Sequence, residues 1–283
     1  MQINWPSHLI EEIAYRRCVI FVGAGISATA QNEEGVSPKK WGEFIRDAIS
    51  LINRPSQEKL DFISKMLDQQ NYLLALQAIA DSCDPGAYAA YLREVYSRPR
   101  YRASKTHQLI KDIDSKIVIT TNFDRIYENL CSDYVFANYF EISKIITNMR
   151  STENLIIKAH GTIDDVDNLV FTQKQYYNAK LKHPVFYNIL SALFLTNTVV
   201  FLGYSLNDPD INLILELAAN ARSLSSPHYV VVKDGLEEEI KQHWRDCYNI
   251  YPLEYGPDYT DLESNIEELR DRVLDFRALK RIP

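Results

Sequence analysis

The sequence predicts an α/β fold: a parallel β-sheet with helices on both faces and a smaller inserted helical domain. Three observations carry that prediction. Short apolar runs recur at 19–22, 116–120, 154–158, 198–202 and 228–232, and stretches with apolar residues at helical spacing separate them. This alternation of strand and helix implies a parallel sheet covered on both faces. One long stretch, from 41 to about 96, shows helical spacing only, with Phe44, Ile45, Ala48, Ile49, Leu51 and Ile52 and then residues 72–79.

Taken in order, the opening strand runs into Gly23-Ala24-Gly25 and a small-residue helix start. The helical stretch follows, divided by Pro55, the Asp84-Pro85-Gly86 turn and Pro99. Strands then return, with helical patterns at 125–131, 174–195, 211–221 and 236–248 between them, and 251–254 is expected as an edge strand. Residues 262–279 read as an amphipathic helix with Leu262, Ile266, Leu269, Val273 and Phe276 on one face, expected to pack on its own sheet. The division this implies is a sheet domain from 1–40 and 100–283, with 41–99 inserted.

Composition narrows the function. A chain of 283 residues with 46% hydrophobic content can bury a large core, and a net charge of −7 gives no overall attraction to nucleic acid. No apolar run reaches the ~20 residues of a membrane span, and the N-terminus lacks the basic start and apolar centre of a signal peptide, so a cytoplasmic location and no membrane contact are expected. Cys18, Cys83, Cys131 and Cys247 form no CxxC pair, which argues against a zinc knuckle and against a close-spaced disulfide framework.

The strand ends hold the chemistry. After the strands come Gly23-Ala24-Gly25, Thr121-Asn122-Phe123-Asp124, His160-Gly161-Thr162 and Gly203-Tyr204-Ser205 with Asp208. In open parallel sheets ligands bind outside the carboxyl ends of the strands, so these four segments should line one cleft. Gly23 to Ala28 fits G-x-G-x-x-[GA], a turn that lets a pyrophosphate approach a helix N-terminus, although the acidic partner expected about 20 residues on at a strand end is missing. His160 has a side chain suited to general-base work near neutral pH, with Gly161 leaving it uncrowded. Asp124 and Asp208 suit helix capping equally well. Tyr176 and Tyr177 read as helix packing.

Together, Gly-Ala-Gly-Ile-Ser, Thr-Asn-Phe-Asp, Lys-Ala-His-Gly-Thr and Leu-Gly-Tyr-Ser-Leu-Asn-Asp-Pro-Asp-Ile resemble, in order, the motifs of sirtuin-like proteins. Within them the chain is most similar to the bacterial branch of NAD-depleting effectors in antiphage defence. The resemblance implies a Rossmann-like catalytic domain with the helical stretch as the smaller domain. It implies that Gly23, Ala24, Gly25 and Ser27 hold the pyrophosphate of NAD, the substrate, and that Asn122 orients ribose or an attacking water, with His160 as base. Thr121 and Asp124 join the binding set, Asp124 by supporting Asn122, while Gly203, Tyr204 and Ser205 border the adenosine with Asp208 positioning their loop. Protein-deacylating sirtuins carry Gly-Ile-Pro-Asp-Phe-Arg after the first motif and a zinc ribbon with two CxxC pairs. This chain has neither, so no zinc is expected and water becomes the expected nucleophile, giving ADP-ribose and nicotinamide. The resemblance also implies a homo-oligomer and a separate regulatory protein such as a HerA-type ATPase. A non-catalytic NAD- or ADP-ribose-binding module, a protein ADP-ribosyltransferase and a deacylase are the alternative readings.

Overall fold

The computed structural model describes residues 2–204, 206, 211, 212, 215 and 227–282. Its centre is a seven-stranded, wholly parallel sheet in the order β3-β4-β2-β1-β5-β6-β7. The strands are β1 (Cys18–Val22), β2 (Ile117–Thr120), β3 (Val135–Asn138), β4 (Leu155–Lys158), β5 (Thr198–Leu202), β6 (His228–Lys233) and β7 (Ile250–Tyr255). From β1 the chain first builds outward through β2, then returns to place β5 on the other side, so the topological switch lies between β1 and β5. That is where open sheets of this kind hold ligands.

Every residue of β1, β2, β4 and β5 is buried, which explains their unbroken Val and Ile runs. Side chains alternate across the sheet as pleating demands. Val19 and Phe21 enter one core with Phe186, Leu190 and Phe194 of helix Pro184–Thr196, whereas Cys18, Ile20 and Val22 enter the opposite core. The second core contains Leu9 and Ile13 of α1 (Ser7–Ala14), Leu109 and Ile110 of helix Lys105–Asp112, and Ile266, Leu269 and Val273 of helix Asp261–Lys280. The C-terminal helix therefore packs on its own fold, as its apolar face predicts. Its Arg277 donates to the carbonyls of Ile13, Ala14 and Ile113 at 3.2, 3.1 and 3.0 Å, joining the C-terminal ends of two other helices.

The structure adds to or divides several of the elements expected from the sequence. Strand β3 was not expected; it has only four residues, and Phe136 faces solvent. The helical pattern at 174–195 is two helices, Gln173–Lys182 and Pro184–Thr196, because Pro184 starts a new helix at its first position. Helices Ser7–Ala14, Lys105–Asp112 and Ile142–Met149 extend the predicted set. Most of the helical pattern at 211–221 lies outside the described residues.

Between β1 and β2 lie helices Trp41–Ala48, Gln57–Asp68, Tyr72–Ala80 and Pro85–Tyr96. Ser56 Oγ and Asp84 Oδ1 cap two of them by accepting from Lys59 N and Ala87 N. Their core of Phe44, Ile45, Leu76, Ile79 and Leu92 is shared with Phe123, Ile163 and Phe171, which follow β2 and β4. Each such fully buried side chain contributes about 1.5–3 kcal/mol, so this shared packing holds the helices against the carboxyl ends of β2 and β4.

Candidate active site

At the switch point two turns interlock. Gly23 N donates to Leu202 O at 2.9 Å and Gly25 N to Gly203 O at 2.8 Å. A Cβ on Gly23 would stand 2.4 Å from Gly203 O, and one on Gly203 would stand 2.5 Å from Ile26 N. Gly203 also has φ +61°, a region that favours glycine. The glycines of both motifs thus allow β1 and β5 to close their ends against each other. Ala24 and Ser27 lie in the single helical turn that follows, Ala24–Ser27.

Ser27 anchors a polar group with determined directions. Its Oγ donates to Asp124 Oδ2 at 2.7 Å and accepts from Asn122 Nδ2 at 2.9 Å. Asn122 Nδ2 also donates to Gly23 O at 2.9 Å, and because a carbonyl only accepts, the amide nitrogen must face it. Both amide hydrogens are then engaged, and among the described residues nothing donates to Asn122 Oδ1. Asp124 Oδ1 accepts from Ile126 N at 3.0 Å, at the first residue of helix Ile126–Leu130, and reaches Asn122 only through Ser27. Thr120 Oγ1 accepts from Asn122 N at 3.0 Å and donates to Val22 O at 2.8 Å, pinning the start of the loop to β1. Thr121 is half-buried between them.

His160 follows β4 and is buried. Its Nδ1 lies 3.4 Å from Tyr176 Oη, and the two rings meet edge to face at 4.9 Å. Gly161 has φ +81° and a Cβ there would stand 2.7 Å from Asn168 O, so glycine at this position admits the loop that returns over His160. Below the site, Lys158 is buried in an ion pair with Glu128, and its Nζ donates to Asp124 O at 2.6 Å. Burial pushes the Glu128 carboxyl above its ordinary range, against the pull of Lys158.

Of the residues expected in the site, Gly23, Ser27, Asn122 and Asp124 form one bonded group, and His160 stands on the neighbouring strand end. Tyr204 follows β5, but its ring is buried against Phe21 and Phe201, at 4.9 and 5.6 Å. Ser205 and Asp208 lie outside the described residues. Tyr176 and Lys158 were not expected there; a strand ending in Lys reads as one reaching the surface, and Tyr176 is brought in by a distant helix. A cleft of about 420 Å³ opens nearby between Tyr96, Arg100, Tyr101, Arg125 and Asn129, and its walls include none of Ser27, Asn122, Asp124 or His160. Among the described residues no three His, Cys, Asp or Glu side chains form a metal site, and no helix is long and apolar enough to cross a membrane.

A parallel sheet with its glycine turns and polar side chains gathered outside the strand ends, at the switch point, places the molecule among the Rossmann-like α/β proteins. Residues 116–253 match the family model described as a SIR2-like domain, a span that contains the second, third and fourth of the motifs named above. It is 25% identical over 279 residues to NAD(+) hydrolase ThsA of Enterococcus faecium, covering 96% of this chain and 52% of that protein. It is 22% identical over 250 residues to NAD(+) hydrolase ThsA of Acinetobacter baumannii, covering 87% and 48%. Defense-associated sirtuin 2 of Bacillus subtilis is 24% identical over 205 residues, covering 70% and 19%. The chain spans about half the length of the two NAD(+) hydrolases.

Proposed function

We propose that this chain hydrolyses NAD to ADP-ribose and nicotinamide and serves as an NAD-depleting effector in antiphage defence. The observation that carries the reading is Asn122: both of its amide hydrogens are held by Gly23 O and Ser27 Oγ, and its Oδ1 remains to accept from a donor. A ribose hydroxyl and a water are such donors. His160, on the adjacent strand end and oriented through Tyr176, takes the role of base.

The chemistry suits these groups. As the ribose C1′–N bond breaks, its electron pair passes to the pyridinium nitrogen, and nicotinamide leaves neutral without needing an acid. The sugar passes through an oxocarbenium-like state. Water adds to C1′ and gives a proton to His160. Positioning and a general base are the two demands, and the base is worth ~10²–10⁴-fold. Gly23, Ala24, Gly25 and Ser27 take the pyrophosphate side in this reading, and Thr121, Gly203, Ser205 and Asp208 the remaining contacts, while the Tyr204 ring packs in the core.

The test is a time course of purified protein with NAD, following nicotinamide and ADP-ribose by chromatography, beside His160→Ala and Asn122→Ala. Equal release of both products, reduced at least about 100-fold in either variant, supports the proposal. NAD bound but left intact would assign the chain to ligand binding instead. A site that consumes NAD calls for control, so a homo-oligomer and a separate regulatory protein belong to the same proposal, and co-purification from cells tests both.

A further inference from the structure

One side chain joins the two halves of the site. Lys158 is covalently two residues from His160, and its Nζ reaches across to the carbonyl of Asp124, in the loop that carries Asn122. Glu128, in helix Ile126–Leu130, holds the same ammonium. The pair is buried among the strand ends, with Lys158 only 1% exposed. A buried ion pair adds little stability over well-packed apolar side chains of the same volume, so stability alone does not account for placing it there.

We propose that Lys158, held by Glu128, is a positioning residue for NAD cleavage: it fixes the Asn122–Asp124 loop relative to the strand end that carries His160. This rests on the hydrolase reading above. Neither Lys158 nor Glu128 touches the reacting atoms. Their effect is on the distance and angle between Asn122 Oδ1 and the imidazole, where a displacement of about 1 Å can lower turnover by 10²-fold.

Removing one partner leaves a buried charge unpaired and threatens the fold, so the decisive variant is Lys158→Met with Glu128→Leu, which removes both charges. The expected result is a melting temperature near wild type and a KM for NAD within about 3-fold, with kcat lowered roughly 10- to 100-fold. Hydrogen exchange of the amides at 121–126 should rise at least about 10-fold in the same variant. Should that pair fail to fold, Lys158→Met with Glu128→Gln carries the same two measurements. A folded variant with wild-type kcat, or one whose KM and kcat change together by the same factor, overturns the proposal. If the wild-type protein cleaves no NAD, the hydrolase reading fails by itself, and the exchange rates decide the positioning role: faster exchange confined to 121–126 upholds it and unchanged exchange overturns it.

Discussion

Asn122 and His160 stand at the same offset beyond a register pair: Thr120 of β2 is paired with Lys158 of β4, and each of the two side chains follows two residues later. Ala159 N extends the ladder by donating to Thr120 O at 2.8 Å. Neighbouring strands lie about 4.8 Å apart, so matched offsets bring both residues to one end of the sheet. The register that pairs two apolar strands therefore also sets the geometry between the proposed base and its polar partner.

Asn122→Asp tests the assigned directions. The carboxylate keeps an acceptor but has no hydrogen for Gly23 O or Ser27 Oγ, and it faces a carbonyl directly. The variant should lose about 1–3 kcal/mol by denaturant titration and about 100-fold in NAD cleavage. Wild-type stability would show that Nδ2 does not hold those two partners.

Gly203→Ala tests the interlocked turns. Its Cβ would stand 2.5 Å from Ile26 N, between backbones that have little room to move. A loss of about 1–3 kcal/mol is expected, read as a lower melting temperature. Gly35→Ala is the control: its φ is also positive, at +76°, but a Cβ there meets nothing within 4 Å, so strain acts without the clash and the loss should be smaller.

Tyr176→Phe removes one hydroxyl and keeps the ring edge against His160. If that hydroxyl orients the imidazole, kcat should fall several-fold, with ~1 kcal/mol or less lost in stability. Unchanged kcat would reduce Tyr176 to packing.

Acid should weaken the fold through two histidines outside the site. Burial pushes both His107 and His228 down to about 4 from an ordinary 6.5. Between those values the unfolded chain binds more protons than the folded one, so stability falls as pH drops from 6.5 toward 4. Each residue contributes a slope of up to about 1.4 kcal/mol per pH unit. His228 Nδ1 accepts from Val199 N at 3.2 Å, and His228→Asn retains an acceptor there without the titration. Its melting temperature should vary less steeply across that range.

Much of the fold is legible because buried parallel strands cannot hide: β1, β2, β4 and β5 are apolar throughout, and their ends carry the polar residues. Edges are harder to read. β3 has one exposed aromatic and four residues, and the break at Pro184 interrupts an otherwise continuous helical pattern. The residues of the candidate site stand out in the sequence, and the relations between them do not. The glycine at 23 fits a phosphate-turn pattern in sequence, while its partner at 203 is visible only once β1 and β5 are paired. Lys158 sits inside the His-Gly motif segment, yet nothing local indicates that its charge turns inward to Glu128, since the pairing depends on a helix thirty residues earlier.

Arg277 adds a consequence for synthesis on the ribosome. The carbonyls of Ile13, Ala14 and Ile113 receive their shared partner only after residue 277 has emerged. Until then the ends of two early helices lack their closing donor, and helices Ser7–Ala14 and Lys105–Asp112 lie without helix Asp261–Lys280 against them. Translation must therefore pass residue 277 before these helix ends are closed, however much of the sheet has already paired.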